Sequence, residues 1–387
     1  MKGWRIGILL WMVLLGSASA WCQDLADSVS VHITDTVTAA VTDNVAVDLA
    51  TTPEKRDWIE AIKQRNYNIN DTNIVYPKFP GFCVDVYRWV DHALNYYDST
   101  YVVSSKQKWK LMLKNNNWLD LYAGELGPKH MRVQMNSDVT SLFGVQIAYM
   151  AVSLSYMMNV RDIIEGKFIR NRRLAFSFTS SRAALDVYYD KNDESSVNMH
   201  RLGHWRGNTL FYGLKRESYG LDAYYIFNHT HYAQAAAYCF SKYQKRSAGS
   251  LLAGIYLSHQ DVVMDFSTLE DEHLKAQLPD GVTDYRFRYR DFGALIGYGY
   301  SWVFHHGWVY NITVTPSIGF RESFSNSIEG KKNLLSTNLT GRMALVRYAG
   351  HFFYGLHLKH DGHWYRSNDY SFYNCSNNLD IIAGFRF

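Results

Sequence analysis

The sequence predicts an all-β protein: a transmembrane antiparallel up-and-down β-barrel with a short N-terminal helical segment. Three observations predict it. After an export signal there is no apolar run near the ~18 residues of a spanning helix. The later chain alternates apolar and polar residues in runs longer than the ~5–6 usual for globular strands. The chain also stops in mid-pattern, on "LDIIAGFRF", with Leu379, Ile381, Ala383, Phe385 and Phe387 at alternate positions. Chain ends in soluble proteins usually fray. A last strand paired to the first would not.

Composition agrees. The 387 residues are 47% hydrophobic and 16% aromatic, with 29 Tyr, 20 Phe and 11 Trp. That excludes disorder for most of the chain. Tyr and Trp suit a boundary that is wet on one side and dry on the other. A net charge of +4 gives no reason to expect a nucleic-acid partner.

Residues 1–20, "MKGWRIGILLWMVLLGSASA", read as a cleaved signal peptide. Lys2 and Arg5 are its basic region, and Ala18-Ser19-Ala20 its cleavage site. Trp21 is a poor fit to lipoprotein processing at Cys22. Cys22, Cys83, Cys239 and Cys375 show no C-x-x-C spacing, which excludes metal knuckles and redox motifs. No disulfide pair is named by the sequence. Residues 21–52 form a polar leader. Residues 53–105 form a periplasmic helical segment: Pro53 suits a helix N1 position, Trp58, Ile59 and Ile62 keep helical spacing, and Phe82, Val86, Trp89, Val90 and Leu94 mark a second helix.

Residues 106–387 form the barrel. "GALIGYGYSWVF" and "WVYNITVTPSIGF" each carry one apolar face, joined by the short "HHG". Trp302, Phe304, Trp308 and Tyr310 gather beside that turn as an aromatic girdle would. Three further runs repeat the pattern: "HFFYGLHLKHD", "NLLSTNLTGRMALV" and "YGLDAYYIFN". Short connections ("YAG", "FHHG", "ESYG", "YQKRSAG") alternate with longer ones, the plan of an outer-membrane barrel. The runs number about fifteen. Such barrels use even numbers, so the expectation is twelve to sixteen strands, with fourteen preferred. Phe385 and Phe387, in the terminal "GFRF", match the aromatic strand end that barrel assembly machinery reads.

Three stretches also resemble a known family: Tyr97-Asp98-Ser99-Thr100-Tyr101-Val102, Tyr224-Tyr225-Ile226-Phe227-Asn228 and Gln244-Lys245-Arg246-Ser247-Ala248-Gly249-Ser250. They are similar to elements of domain of unknown function 4421, an uncharacterised outer-membrane family of Gram-negative bacteria. The resemblance runs from about Tyr76 to the C-terminus and departs at "HTHYA" after Asn228. It implies location and fold and no catalytic residue.

Asp186, Asp222, Arg342, Lys359 and Asp361 fall on the faces assigned to the lumen. A lysine or arginine facing lipid near the midplane costs about 2–4 kcal/mol, which directs these charges inward. They either line a solute pathway or form a paired polar plug; the plug is the preferred reading. His305-His306, His360, His363, His229 and His231 read as polar rim residues, so neither metal nor cofactor is expected. There is no G-x-S-x-G elbow. Ser258 and His259 are strand neighbours facing opposite ways. The expectation is a non-enzymatic, porin-like outer-membrane barrel with a role in solute passage or binding, or in structure. The alternatives are an outer-membrane lipid hydrolase and a partner-binding barrel. Expected partners are outer-membrane lipid, the barrel assembly machinery and a periplasmic protein.

Overall fold

The computed structural model describes residues 55–64, 69, 71–105, 107, 109–149, 152–159, 172–192, 197–279 and 282–387. The expected signal peptide and polar leader lie outside them. The chain divides into two compact units, one ending at Leu94 and one spanning Asn95–Phe387.

The first unit holds β1 (Arg56–Asp57), α1 (Trp58–Lys63), β2 (Ile74–Val75) and α2 (Lys78–Asn95). Asp57 caps α1 by accepting from the Ile59 N–H at 2.8 Å. Arg88 of α2 donates to the carbonyls of Ile69 and Asp71 at 2.7 and 2.9 Å, tying the helix to the loop before it. Ala61, Ile69, Ile74 and Val84 form a small core. The second helix starts at Lys78 and not after Pro80, because proline is tolerated in a first turn.

The second unit opens with β3 (Val102–Ser104), β4 (Trp109–Leu126), β5 (Met131–Ser137), β6 (Thr140–Tyr149), β7 (Val152–Asn159), β8 (Arg172–Thr179) and β9 (Ala183–Asn192). Then come β10 (Val197–Leu202), β11 (Trp205–Phe211), β12 (Leu214–Ile226), α3 (Gln234–Tyr238), β13 (Lys242–Gln244) and β14 (Ala248–Asp265). It ends with α4 (Glu272–Lys275), β15 (Asp284–Phe304), β16 (Trp308–Ser323), β17 (Asn333–Ala349), β18 (Phe352–Arg366) and β19 (Ser371–Arg386).

Fifteen of these segments form one antiparallel sheet. Three pairs of segments are each one broken strand. β5 and β6 follow each other along β4 with a slip at Asp138–Val139. The β9–β12 ladder ends at Asn192↔Arg216, and the β10–β11 ladder resumes in the same register at Val197↔Phe211. Among the described residues the fifteen segments therefore make twelve passes, an even number within the expected twelve to sixteen. β5 pairs directly with β10 and closes the ring above the short β7 and β8. On the other side of β4, β19 pairs with it from Ser371↔Glu125 to Arg386↔Lys110. Phe387 N–H donates to the Trp109 carbonyl at 3.0 Å and Trp109 N–H returns the bond at 3.1 Å. The C-terminal residue is inside the ladder, as the alternation of "LDIIAGFRF" predicts.

Two expected turns are not turns. "ESYG" lies within β12. Its Gly220 is needed because the Tyr188 hydroxyl sits 2.7 Å from where a Cβ would be. "YQKRSAG" belongs to a folded segment of residues 227–247 that carries α3 and β13.

The strands invert their pattern part-way along. In β15 the inward residues are first Tyr285, Phe287 and Tyr289, and the outward ones Arg286, Arg288 and Arg290. From Asp291 on, polar and small residues, with Leu295 among them, face inward, and Phe292, Ile296, Tyr298, Trp302 and Phe304 are exposed outward. From Phe292 to Phe304 the strand rises about 30 Å, given ~3.4 Å per residue and a tilt near 40°. That matches the ~30 Å hydrocarbon core of a bilayer. β12, β14 and β16 invert at the same level, with outward Tyr219, Leu257 and Phe320 below and outward Glu217, Asp261 and Glu322 above. Below the inversion the barrel is apolar outside; its interior is polar next to the inversion and carries small apolar clusters toward the short-turn end. Above the inversion, Tyr122, Val133, Met199, Leu214, Met264, Phe266, Phe287 and Phe372 fill the interior as an ordinary hydrophobic core, closed over by Leu274 of α4.

Candidate functional site

The interior of the lower barrel collects the charges. All five predicted lumen residues face inward. Asp186 of β9 and Asp222 of β12 are ladder neighbours, and so are Arg342 of β17 and Lys359 of β18. Arg342 Nη2 lies 2.5 Å from Asp186 Oδ2, and Ser177 Oγ donates to the other Asp186 oxygen at 2.5 Å. Lys359 Nζ lies 2.7 Å from Asp361 Oδ2. Cation thus meets carboxylate, and a low-dielectric interior makes this pairing necessary.

Sequence reasoning missed a second tier beside the inversion. Arg321 donates through Nε and Nη2 to Asp291 at 2.7 and 2.6 Å and lies over the Tyr289 ring at 3.9 Å. Ser336 Oγ adds a 2.8 Å bond to the same carboxylate. Arg216 bridges Asp120 at 3.2 Å and Asp190 at 3.4 Å. The signal was present: Asp291 and Arg321 sit where the inward face changes from aromatic to polar.

Residues 227–247 occupy the short-turn end of the barrel. Tyr232, Ala233, Ala236 and Ala237 are fully buried. Tyr238 donates to Asn311 Oδ1 at 2.8 Å, and Asn311 Nδ2 donates to the Tyr232 hydroxyl at 3.0 Å. Tyr348 donates to the Ala236 carbonyl, and Lys110 Nζ to that of Cys239 at 2.8 Å. Small wall residues make room for the segment: a Cβ at Gly299 would lie 2.3 Å from the Tyr232 hydroxyl. Phe240 takes a left-handed φ of 54° and stacks on Phe353 at 4.5 Å. Arg386 of β19, 1% exposed, is ringed by Tyr243, Tyr348 and Phe353, 4.4–5.0 Å from the ring centres.

The three stretches that carry the family resemblance converge on this segment. β3 pairs with β13. Asp98 N–H donates to the Thr230 carbonyl at 2.9 Å and Lys245 N–H to that of Tyr101 at 2.7 Å. Asn228 Nδ2 donates to the Gly249 carbonyl at 2.8 Å. Gln244 accepts from Ala233 N–H at 2.9 Å and donates to the His231 and Arg246 carbonyls at 2.6 and 2.9 Å. Hydrogen bonds from the backbone and side chain of Thr100, with His231 beside it, hold the Asp98 carboxyl below its ordinary range.

The other predicted positions are placed as follows. Trp302 stacks on Tyr310 with ring centres 5.6 Å apart, and Phe304 pairs across the His305–Gly307 turn with Trp308. All four are on the outer face at the short-turn end. Phe385 and Phe387 face outward, and Phe387 stacks on Trp109 at 6.4 Å. Ser258 faces inward, whereas His259 stacks outside on Tyr219 at 4.7 Å, so the two cannot act as a dyad. His360 bonds Asn377 and Tyr373 at 2.7 and 2.8 Å, and His363 bonds Asn338 at 3.2 Å.

Fold and interior together define a transmembrane β-barrel with an occupied interior. The chain belongs to the family described as Domain of unknown function (DUF4421), which it matches over residues 96–387. That match begins later than Tyr76 and takes in the second unit from Tyr96 onward. No curated protein matches the sequence. Among solved structures, the outer membrane protein OprG from Pseudomonas aeruginosa is 9% identical, with 73% of this chain and 98% of that one covered and a TM-score of 0.25. The P. putida toluene transporter TodX is 7% identical, with 73% and 91% covered and a TM-score of 0.26. The CymD monoaromatic hydrocarbon channel is 8% identical, with 73% and 89% covered and a TM-score of 0.25. These scores carry no role across to this chain.

Proposed function

We propose that this chain is an exported, non-enzymatic outer-membrane barrel whose lumen is occluded at rest. It acts as a binding or structural element and not as an open pore. One observation carries the reading: residues 227–247 are buried in the short-turn end and hydrogen-bonded to the wall through Tyr232, Tyr238, Lys110 and Tyr348. The paired charges of Arg342, Asp186, Lys359 and Asp361 support it, because each is neutralised within the barrel. The short-turn end faces the periplasm in this reading, and Phe385 and Phe387 are the strand end offered to the assembly machinery. The test is conductance of the purified protein in planar bilayers. A silent membrane is expected. Stable single-channel steps from the full chain would overturn the reading.

A second reading has its own observation. Phe79, Phe82, Val86 and Trp89 of α2 are exposed, Phe79 and Trp89 by more than 70%. Such a stripe favours the helical unit as the binding element for a periplasmic protein. Cross-linking from Trp89 in intact cells tests it; absence of any protein adduct there counts against it.

A further inference from the structure

The outer wall just above the inversion carries a group of closely spaced cations. Arg286, Arg288 and Arg290 occupy successive outward positions on β15, where "YRFRYRDF" alternates aromatic-in with arginine-out. Two carboxylates serve this group, and each is shared. Asp261 of β14 takes Arg286 at 2.5 Å and Arg288 at 3.5 Å. Glu322 of β16 takes Arg290 at 2.5 Å and Lys331 at 3.6 Å. Glu217, across from Asp261 on β12, and Asp284, two residues before Arg286, add acids at the edges of the group, so the local excess is that of Arg288, Arg290 and Lys331 around Asp261 and Glu322. Arg288 and Arg290 flank the Phe324 ring, with guanidinium carbons 5.1 and 5.8 Å from its centre, which holds both forks in the same small area. The side chains of Arg290 and Lys331 are 61% and 74% exposed.

The height of the group selects its partner. The next outward positions on β15 and β16 are Phe292 and Phe320, and on β14 His259, stacked on Tyr219, comes before Leu257; Phe292, Leu257 and Phe320 are each about half exposed or more and begin the lipid-facing band. Arginine forks match phosphate oxygens bidentately and keep their charge at every relevant pH. Such forks, standing one residue pair above the apolar band on β15, fit a phosphorylated lipid: acyl chains lie on the band and the phosphate meets the arginines.

We propose that the outer face of β14–β16, centred on Arg288, Arg290 and Lys331, is a binding site for the phosphorylated head group of an outer-leaflet glycolipid. The inference rests on the outer-membrane reading above, with the far end of the barrel outside the cell. The test uses the full chain in detergent with bis-phosphorylated lipid A as the probe, read by native mass spectrometry. Dephosphorylated lipid A and inorganic phosphate serve as comparisons. Expected is retention of the phosphorylated lipid at least tenfold above the dephosphorylated form, and a loss of that preference in Arg288→Gln/Arg290→Gln. Lys331→Gln, on a mostly exposed loop side chain, should lower retention several-fold without touching the strands. Equal retention of both lipids, full competition by inorganic phosphate at matched concentration, or an unchanged preference in both variants would each overturn the site. Recovery of the wild-type barrel in the outer-membrane fraction is scored separately. A barrel found there that shows no lipid preference sinks this inference and leaves the parent reading standing.

Discussion

Arg342 of β17 and Asp186 of β9 meet inside the barrel, Nη2 to Oδ2 at 2.5 Å, across 156 residues of sequence. In the sheet, β16, β15, β14 and β12 stand between them. The pair is therefore a strut through the lumen, and it fixes the spacing of strands that share no ladder. Both side chains are mostly shielded from water. Removing one partner leaves an uncompensated charge, which costs about 3–5 kcal/mol. Arg342→Met should lower the unfolding midpoint of the barrel accordingly. Arg342→Met/Asp186→Leu should recover most of that loss, since an apolar pair needs no neutralisation. A double variant as unstable as the single one would show that the strut matters for its shape and not for its charge.

Glu329 gives the far-end loop a pH dependence. Burial would raise its carboxyl, but hydrogen bonds from Lys332, Tyr365 and Ser367 outweigh burial and hold it below the ordinary glutamate range. Lys332 Nζ is 2.8 Å away, and the Tyr365 hydroxyl donates at 2.7 Å. A depressed acid stabilises the fold above its unfolded pKa, and that contribution is lost as pH falls through the folded one. Amide protection factors in residues 324–332, taken against the intrinsic exchange rate at each pH, should fall on acidification below the ordinary glutamate range and stay flat between pH 6 and 8. Glu329→Gln should exchange faster at neutral pH and lose most of the acid response. Equal profiles for the two proteins would remove Glu329 from the account.

Much of this was legible in the sequence. Period-two alternation identifies β15 to β19, and their lipid-facing residues are those the alternation selects. The terminal aromatic predicts the β19–β4 ladder. Asp186, Asp222, Arg342, Lys359 and Asp361 follow from the cost of a charge in lipid. What stayed hidden is non-local or depends on register. Asp138–Val139 gives no sign that β5 and β6 are one strand, because a bulge leaves the alternation intact on either side. The segment 227–247 looks like a loop around alanines, since an alanine helix has no amphipathic stripe when every side is covered by barrel wall. The inversion at Asp291 is written in "YRFRYRDFGALIG", but it reads as one long strand unless the two faces are followed separately.

Gln244 is the residue on which the inserted segment depends most locally. It is 4% exposed and satisfies three backbone groups with one side chain. Gln244→Ala leaves the fully buried Ala233 N–H without its acceptor, at about 1–3 kcal/mol. The strands do not share that loss, so the segment should loosen while the barrel stays folded. Trypsin should then cut after Lys245 or Arg246 in the variant and spare the wild type under the same conditions. Identical digestion would place the hold on the segment elsewhere, with Tyr238 and Asn311 next to be tried.

Phe387 separates a structural role from an assembly role. Its backbone closes the last two bonds to Trp109, and its ring stacks on Trp109 and Phe385 at the barrel's outer edge. Phe387→Ala keeps the backbone bonds and removes only the ring, which is 55% exposed. Refolded into detergent, this variant should lose about 1 kcal/mol or less, the scale of one partly exposed aromatic contact. In cells, the heat-modifiable barrel recovered from the outer membrane should fall several-fold, and Phe387→Trp should restore it. That split would assign the terminal ring to recognition during assembly. If the cellular yield falls only as far as the measured stability predicts, the ring is a packing group at the membrane edge and the recognition element lies further back, at Phe385 or Ile381.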